Sequence, residues 1–431
     1  MKKTLFLFTF LIAVLSVDAH SNEKIPLQHF FCDSAMTSGS LSPDGKYFAS
    51  MVPASGAKCA IEEIDDPQAA RVLLVIDLET NKPTVLSGTK GKSRLTGFTW
   101  ISNTRIAFFR QPEAGLDAYS MWAINVDGTK PKELVPGKWE DSYPTGARLL
   151  DRMKDDENHI LVSYNKRRPK YTDVYKLNIF SGKLTMVAKD PVIDGQTSLG
   201  WAVDQQGLVR GYVAVKGLYT YLYHRNDAES DFELLRKFKF QEASFGPAAY
   251  SYDPRYVYMR GQAVAADGTV IDDSDTDALW LYDAYEDKFV EKIYENDRYD
   301  VGGIAISSKT EEPAYIAYYG EKPEKIWIDE DLEQVYATIE ASFPNDQVSI
   351  GGWTEDEDKA IITTWSDTNP GEMYYYDRNK GTIAFIAKSR PWINKDEMSP
   401  MLPISFTARD GLVVNGYLTV PKNSDGKNLP L

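Results

Sequence analysis

Short runs in which apolar and polar residues alternate fill most of the chain, and many open on a cluster of Ser, Pro, Asp, Asn or Gly. The best formed is Ser42-Pro43-Asp44-Gly45, which leads into Tyr47-Phe48-Ala49. Pro43 presets φ for the second turn position, Asp44 bonds local backbone, and Gly45 takes the left-handed conformation through which a strand leaves, so this stretch predicts a β-hairpin. Comparable polar turns open strands at Ile101-Ser102-Asn103, Asp155-Asp156-Glu157, Asp204-Gln205-Gln206-Gly207, Tyr252-Asp253-Pro254, Ser307-Ser308-Lys309 and Glu355-Asp356-Glu357. Their spacing, roughly 50 residues, is that of a four-stranded blade.

Each copy is followed by a second hairpin, in which an aromatic or aliphatic strand meets an Asp, Asn or Gly turn and then a more polar strand. The set runs through Leu74-Val75-Ile76-Asp77, Trp122-Ala123-Ile124-Asn125, Tyr175-Lys176-Leu177-Asn178, Tyr221-Leu222-Tyr223-His224, Leu279-Trp280-Leu281-Tyr282-Asp283, Ile326-Trp327-Ile328-Asp329 and Tyr374-Tyr375-Tyr376-Asp377. A lone four-stranded sheet cannot bury both faces, so such units pack radially and close into a ring. The pattern therefore predicts an all-β chain, a seven-bladed β-propeller over 38–390, with the Trp and Tyr stripes as core between blades. A tandem of β-sandwiches is the rival, but it would need no constant pairing of two hairpin types. Outside the ring lie 20–37, where Ile25 to Phe31 would make one apolar turn or helix, and 391–431.

Composition narrows the reading. At 431 residues the chain would hold about three ordinary domains, but the repeat makes most of it one unit. The net charge of −15 argues against nucleic acid or anionic lipid as the main partner. Lys2 and Lys3 precede the apolar run Leu5 to Leu15 and the small-residue site Val17-Asp18-Ala19. Residues 1–19 thus read as a signal peptide cleaved near Ala19, leaving a periplasmic or secreted protein that begins at His20. The run is shorter than the ~20 residues of a spanning helix, and no Cys awaits lipid at the cleavage point, so no membrane anchor is expected.

In an oxidising compartment Cys32 and Cys59 would either close a disulfide over the first hairpin or stay as two buried thiols. With His20, His29, His159 and His224 dispersed and no further Cys, nothing builds a zinc site, and neither metal nor cofactor is expected. Asp273-Ser274-Asp275-Thr276-Asp277 matches the opening of a calcium loop, but Ala278 stands where the turn wants Gly and Ala284 where a bidentate Glu belongs. It reads as a solvated acidic loop, and Lys166-Arg167-Arg168 as a solvated hairpin tip.

The tail carries a resemblance. Ile404 to Pro421, with Arg409-Asp410-Gly411 at its turn and Gly416-Tyr417-Leu418 in its second strand, is similar to the first hydrolase-domain strands of prolyl oligopeptidase family serine peptidases, in their acylaminoacyl-peptidase and dipeptidyl-peptidase-like branch. Asn428-Leu429-Pro430-Leu431 resembles the lead-in to that family's oxyanion segment, and Pro26 to Phe31 followed by Ser42-Pro43-Asp44-Gly45 resembles its entry into the propeller. The resemblance implies a two-domain enzyme whose propeller caps an α/β-hydrolase domain and restricts entry to short or unfolded peptides. On this reading 391–431 is a linker and the first hairpin of a hydrolase domain that the chain does not contain. No catalytic residue carries over, because the sequence has no Gly-x-Ser-x-Gly elbow and no histidine in a matching context. Glu62-Glu63 compares with the paired glutamates that hold a substrate's α-amine in dipeptidyl-peptidase relatives, but lacks their aromatic flank and reads more simply as an exposed loop. The alternative function is a stand-alone periplasmic propeller that binds a peptide or protein partner without chemistry.

Overall fold

The computed structural model describes residues 25–54, 56, 58–59, 70–88, 93–111, 118–140, 143–191, 193, 195–240, 242–272, 274–422, 424–427 and 429. Among them, antiparallel meanders form the seven blades of a β-propeller, spanning 37–88, 94–135, 147–188, 197–239, 245–294, 301–340 and 347–388. Within each sheet the strands lie in chain order. The last strand of a blade is the most exposed, as in Lys288–Tyr294 and Thr382–Lys388, so the first strands lie innermost. The first hairpin shows how local chemistry sets a blade. Ser42 Oγ accepts from the N–H groups of Lys46 and Tyr47 at 3.1 and 3.0 Å and donates to Asp44 at 2.7 Å, while Gly45 sits at φ +64°.

Blade 6 departs from the sequence reading. Its three strands Val301–Ile306, Pro313–Tyr319 and Pro323–Trp327 are followed by a helix, α1, over Glu330–Glu340. Asp329 is its N-cap, accepting from the N–H groups of Asp331 and Leu332 at 2.9 and 3.1 Å. Leu332, Val335, Tyr336 and Ile339 then recur at helical spacing and are buried. They pack towards Tyr315 and Trp327 of blade 6 and Ile350 and Ile362 of blade 7, so the helix covers what an outer strand would have covered.

The core lies between blades. Leu73 and Val75 of blade 1 meet Trp100, Ile106 and Phe108 of blade 2, and Met121 of blade 2 meets Ile160, Val162 and Leu177 of blade 3. Fully buried side chains such as Leu73 and Ile160 each contribute roughly 1.5–3 kcal/mol. Arg105 is buried as an interblade staple, donating from Nε to Ile179 O at 2.9 Å and from its two terminal nitrogens to Asn125 Oδ1 and Lys130 O. Among the described residues no sheet mixes strands from the two ends of the ring; blades 7 and 1 pack Leu41 and Phe48 against Ile361 and Met373, and Glu355 N–H donates to Pro43 O at 3.1 Å. Gly39 leaves the room Met373 occupies there, since a Cβ at that position would lie 2.2 Å from Met373 Sδ and force the thioether aside.

After blade 7, Met401–Thr407 and Val413–Thr419 pair as an isolated two-stranded hairpin. No helix among the described residues is long and apolar enough to cross a membrane.

Candidate functional site

Because the strands of a meander alternate in direction, the ring has two unlike ends. One, the turn face, carries the tight turns between first and second strands. The other, the loop face, carries the loops between second and third strands and the links from blade to blade. The tail hairpin sits on the loop face, where Tyr417 donates to Glu321 O at 2.8 Å and the Met401 N–H is held by the Asp367 carboxylate. The N-terminal segment joins it: Ala35 N–H donates to Ser389 O at 2.7 Å, Trp392 Nε1 to His29 O at 2.9 Å, and Arg71 to Ser34 O at 2.8 Å. Cys32 and Cys59 are bonded, with Cα atoms 5.2 Å apart, which ties this segment to blade 1. A groove of about 530 Å³ lies between segment and tail, lined by Ile25, Phe30, Met398 and Met401 with the carboxylates of Asp367 and Glu397.

The loop face is strongly apolar. On the hairpin, Leu402, Phe406, Val413 and Tyr417 are each more than half exposed, and Phe31, Phe240, Ile271 and Tyr319 add large apolar side chains around the same end of the ring. A two-stranded hairpin with both faces bare is marginal by itself, and contiguous exposed apolar surface marks a place meant to be covered.

The buried carboxylates Asp173 and Asp190 fix the loops of blades 3 and 4. Asp173 is fully buried and clamps Arg167 through two bonds of 3.0 and 2.8 Å, accepts from Asp190 N–H at 2.9 Å, and takes the Tyr175 hydroxyl at 3.2 Å. Burial and the adjacent Asp173 charge push the Tyr175 hydroxyl up to about 12. Asp190 in turn accepts from Tyr212 at 3.0 Å. Arg167, read from sequence as part of a solvated tip, is thus an anchor. Between blades 4 and 5, His224 and Tyr250 line a small cavity of about 20 Å³ with their rings 6.4 Å apart. His224 Nε2 has no hydrogen-bond partner there. Burial, aided by the Arg210 charge, pushes its imidazole down to about 4, so it is neutral at pH 7.

Of the residues singled out by sequence, Glu62 and Glu63 lie outside the described residues. The described ends of their loop meet where Ala54 N–H donates to Ala70 O at 2.8 Å, on the loop face. Asp273 also lies outside. Its described neighbours Asp272 and Asp277 are held by Lys292 and Arg260 at 3.2 and 2.9 Å, and no group of metal-binding side chains occurs among the described residues. His159 makes a carboxylate pair with Asp156 at 3.0 Å, but its other nitrogen receives the Asn178 amide at 3.3 Å, so no serine hydroxyl aligns with it. Sequence reading missed a set of charged residues on the turn face, Arg152, Lys154, Glu311 and Glu355, because their pairings span 203 and 157 residues.

Fold and loop face together define a seven-bladed β-propeller with an exposed apolar hairpin on one end. No family model matches the chain. It is 24% identical over 408 residues to the dipeptidyl aminopeptidase BIII of Pseudoxanthomonas mexicana, an alignment covering 90% of this chain and 52% of that protein. Among solved structures, a prolyl endopeptidase described for its inter-domain dynamics matches with a TM-score of 0.58 at 16% identity, over 91% of this chain and 55% of that one. An acylaminoacyl peptidase of Pyrococcus horikoshii matches with a TM-score of 0.51 at 12% identity, over 91% and 58%. The chain is thus similar in sequence to a dipeptidyl aminopeptidase, shares its fold with part of the two peptidase structures, and spans about half the length of the curated relatives it matches.

Proposed function

We propose that this chain is the substrate-gating propeller of an exported serine peptidase that hydrolyses short peptides, with its loop face covered by an α/β-hydrolase domain. The observation that carries this reading is the bare apolar hairpin 401–419 on an apolar loop face. Similarity to peptidases of about twice the aligned length supports it. In this arrangement the ring roofs the active site and the hairpin opens the hydrolase sheet. The nucleophile and its base come from the covering domain, and the propeller decides which peptides reach them.

The test is to recover the native protein from the exported fraction of its cells with an antibody raised against the propeller, and to treat it with an active-site-serine probe. A labelled polypeptide markedly longer than 431 residues, starting at His20, is expected. An unlabelled product, or one that ends with this chain, would sink the peptidase reading in favour of a stand-alone binding propeller. An N-terminus still at Met1 would refute the signal peptide.

A further inference from the structure

The charged residues on the turn face connect blades that are not neighbours. Arg152 and Lys154 belong to the turn between the first two strands of blade 3. Arg152 pairs with Glu355 of blade 7 at 3.1 Å, and Lys154 pairs with Glu311 of blade 6. Two or more blades intervene on the shorter way round the ring in each case, so both pairs are made across the axis. The root of this turn is fixed: Asp151 accepts from Met153 N–H at 2.6 Å, and Asp156 holds Lys176 at 2.6 Å and His159 at 3.0 Å.

The remaining turns join the same network. Gln205 of blade 4 donates to Tyr250 O of blade 5 at 2.8 Å and to Glu311 O at 3.4 Å. Glu355 N–H donates to Pro43 O of blade 1 at 3.1 Å, and Glu357 of blade 7 accepts from Ser307 and from the Ser308 N–H of blade 6, both at 2.8 Å. Every blade except the second contributes a turn. On the inner strands, Gly200, Gly246, Gly303 and Gly351 border open space, since a Cβ added at any of them would meet no atom within 4 Å.

We infer that the blade 3 turn is a strap that floors the propeller, so that the central tunnel is a well opening on the loop face alone. An inner strand of six residues, such as Val301–Ile306, makes the well roughly 20 Å deep, the length of about six residues of extended peptide. Each exposed ion pair is individually weak, and the strap holds because several act together on a turn already fixed at its root. The inference rests on the gating reading only for what enters: a peptide threads in from the covered face and leaves by the same mouth, so the ring limits substrate length by depth instead of passing chain through.

The test uses the chain itself. Cys32 and Cys59 are bonded, so Gly351→Cys places a single free thiol at the turn-face end of the innermost strand of blade 7, facing open space. Its reaction with a bulky polyethylene-glycol maleimide should rise about tenfold when R152A and K154A are added, the factor two exposed pairs together can contribute. N-ethylmaleimide should react equally in both. Equal rates with the bulky reagent overturn the strap. On the unaltered chain, a water-soluble carbodiimide should couple Lys154 Nζ to the Glu311 carboxylate as an amide with loss of water. The cross-link should fade in about 1 M salt, where screening acts within about 3 Å. Its absence at low salt also overturns the inference. Neither readout needs a nucleophile or a second domain, so failure here and failure of serine labelling are separate results.

Discussion

Acidification should loosen the seam between blades 4 and 5 through one residue. His224 is 8% exposed, faces Tyr250 of blade 5, and lies beside Arg210, whose own charge is taken up by Asp204 at 2.6 Å. Its imidazole is pushed down to about 4 from an ordinary value of 6.5, first by burial and then by the Arg210 charge. The folded pKa lies below the unfolded one, so the unfolded chain takes up a proton that the folded chain refuses. This contribution is therefore complete above about pH 6.5 and is lost as the pH falls towards 4. A gap of about 2.5 pH at about 1.4 kcal/mol per pH gives a loss of roughly 3 kcal/mol. The assay is urea denaturation at several pH values between 7 and 4, on the wild-type chain and on His224→Leu, which keeps an apolar filling and removes the titration. Carboxylates that titrate over the same range do so in both chains and cancel in the difference. Wild type should lose about 3 kcal/mol relative to the variant over that range. A difference that stays constant with pH refutes the buried, neutral assignment.

Three further outcomes rest on packing. Gly39→Ala should cost about 1–3 kcal/mol, because its Cβ would occupy the space of Met373 Sδ at the seam between blades 7 and 1. In a double-mutant cycle with Met373→Ala the two changes should couple by at least about 0.5 kcal/mol, and additive urea midpoints would contradict the contact. Asp173→Ala removes the buried partner of Arg167 and should cost about 3–5 kcal/mol in thermal or urea denaturation, while a loss under about 1 kcal/mol would show that the clamp does not hold the loops. Asp329→Ala should cost about 1 kcal/mol and reduce the helical signal of the far-ultraviolet spectrum, since the only long helix among the described residues begins on that carboxylate.

The parts of the fold that were legible are those written in adjacent residues. Ser42, Asp204, Asp253 and Asp356 all turn out to accept from backbone N–H groups a few positions on, which is why a short polar cluster announces each blade. The second hairpins are announced in the same way by Asp77, Asn178, Asp283 and Asp377. Asp329 explains the one misread element. It makes the same pair of bonds as Asp283, to N–H groups two and three residues ahead, so its local signal is identical to a hairpin turn. The difference lies in the next ten residues, where apolar side chains at 332, 335, 336 and 339 keep a helical stripe while the other blades alternate.

The candidate site was less legible for a related reason. Its chemistry depends on which turns a ring brings face to face, and that is a property of closure. Arg152 and Glu355 each look like an ordinary charge on a solvated turn, and only the ring sets them opposite one another. The same closure gives the two ends their different characters. Turns on one face include the charged 152–158, 307–312 and 352–358, which reach across the axis and bond. Loops on the other face range from the short 217–218 to the long 262–277, and several carry exposed Phe, Ile and Tyr side chains. If the strap floors the ring as inferred, the proposed hydrolase domain would dock on the loop face, which carries the bare hairpin and is also the mouth of the well. On the proposed reading, covering the loop face would bury the apolar hairpin and narrow the mouth of the well at once, so the docking that stabilises the tail would also form the gate.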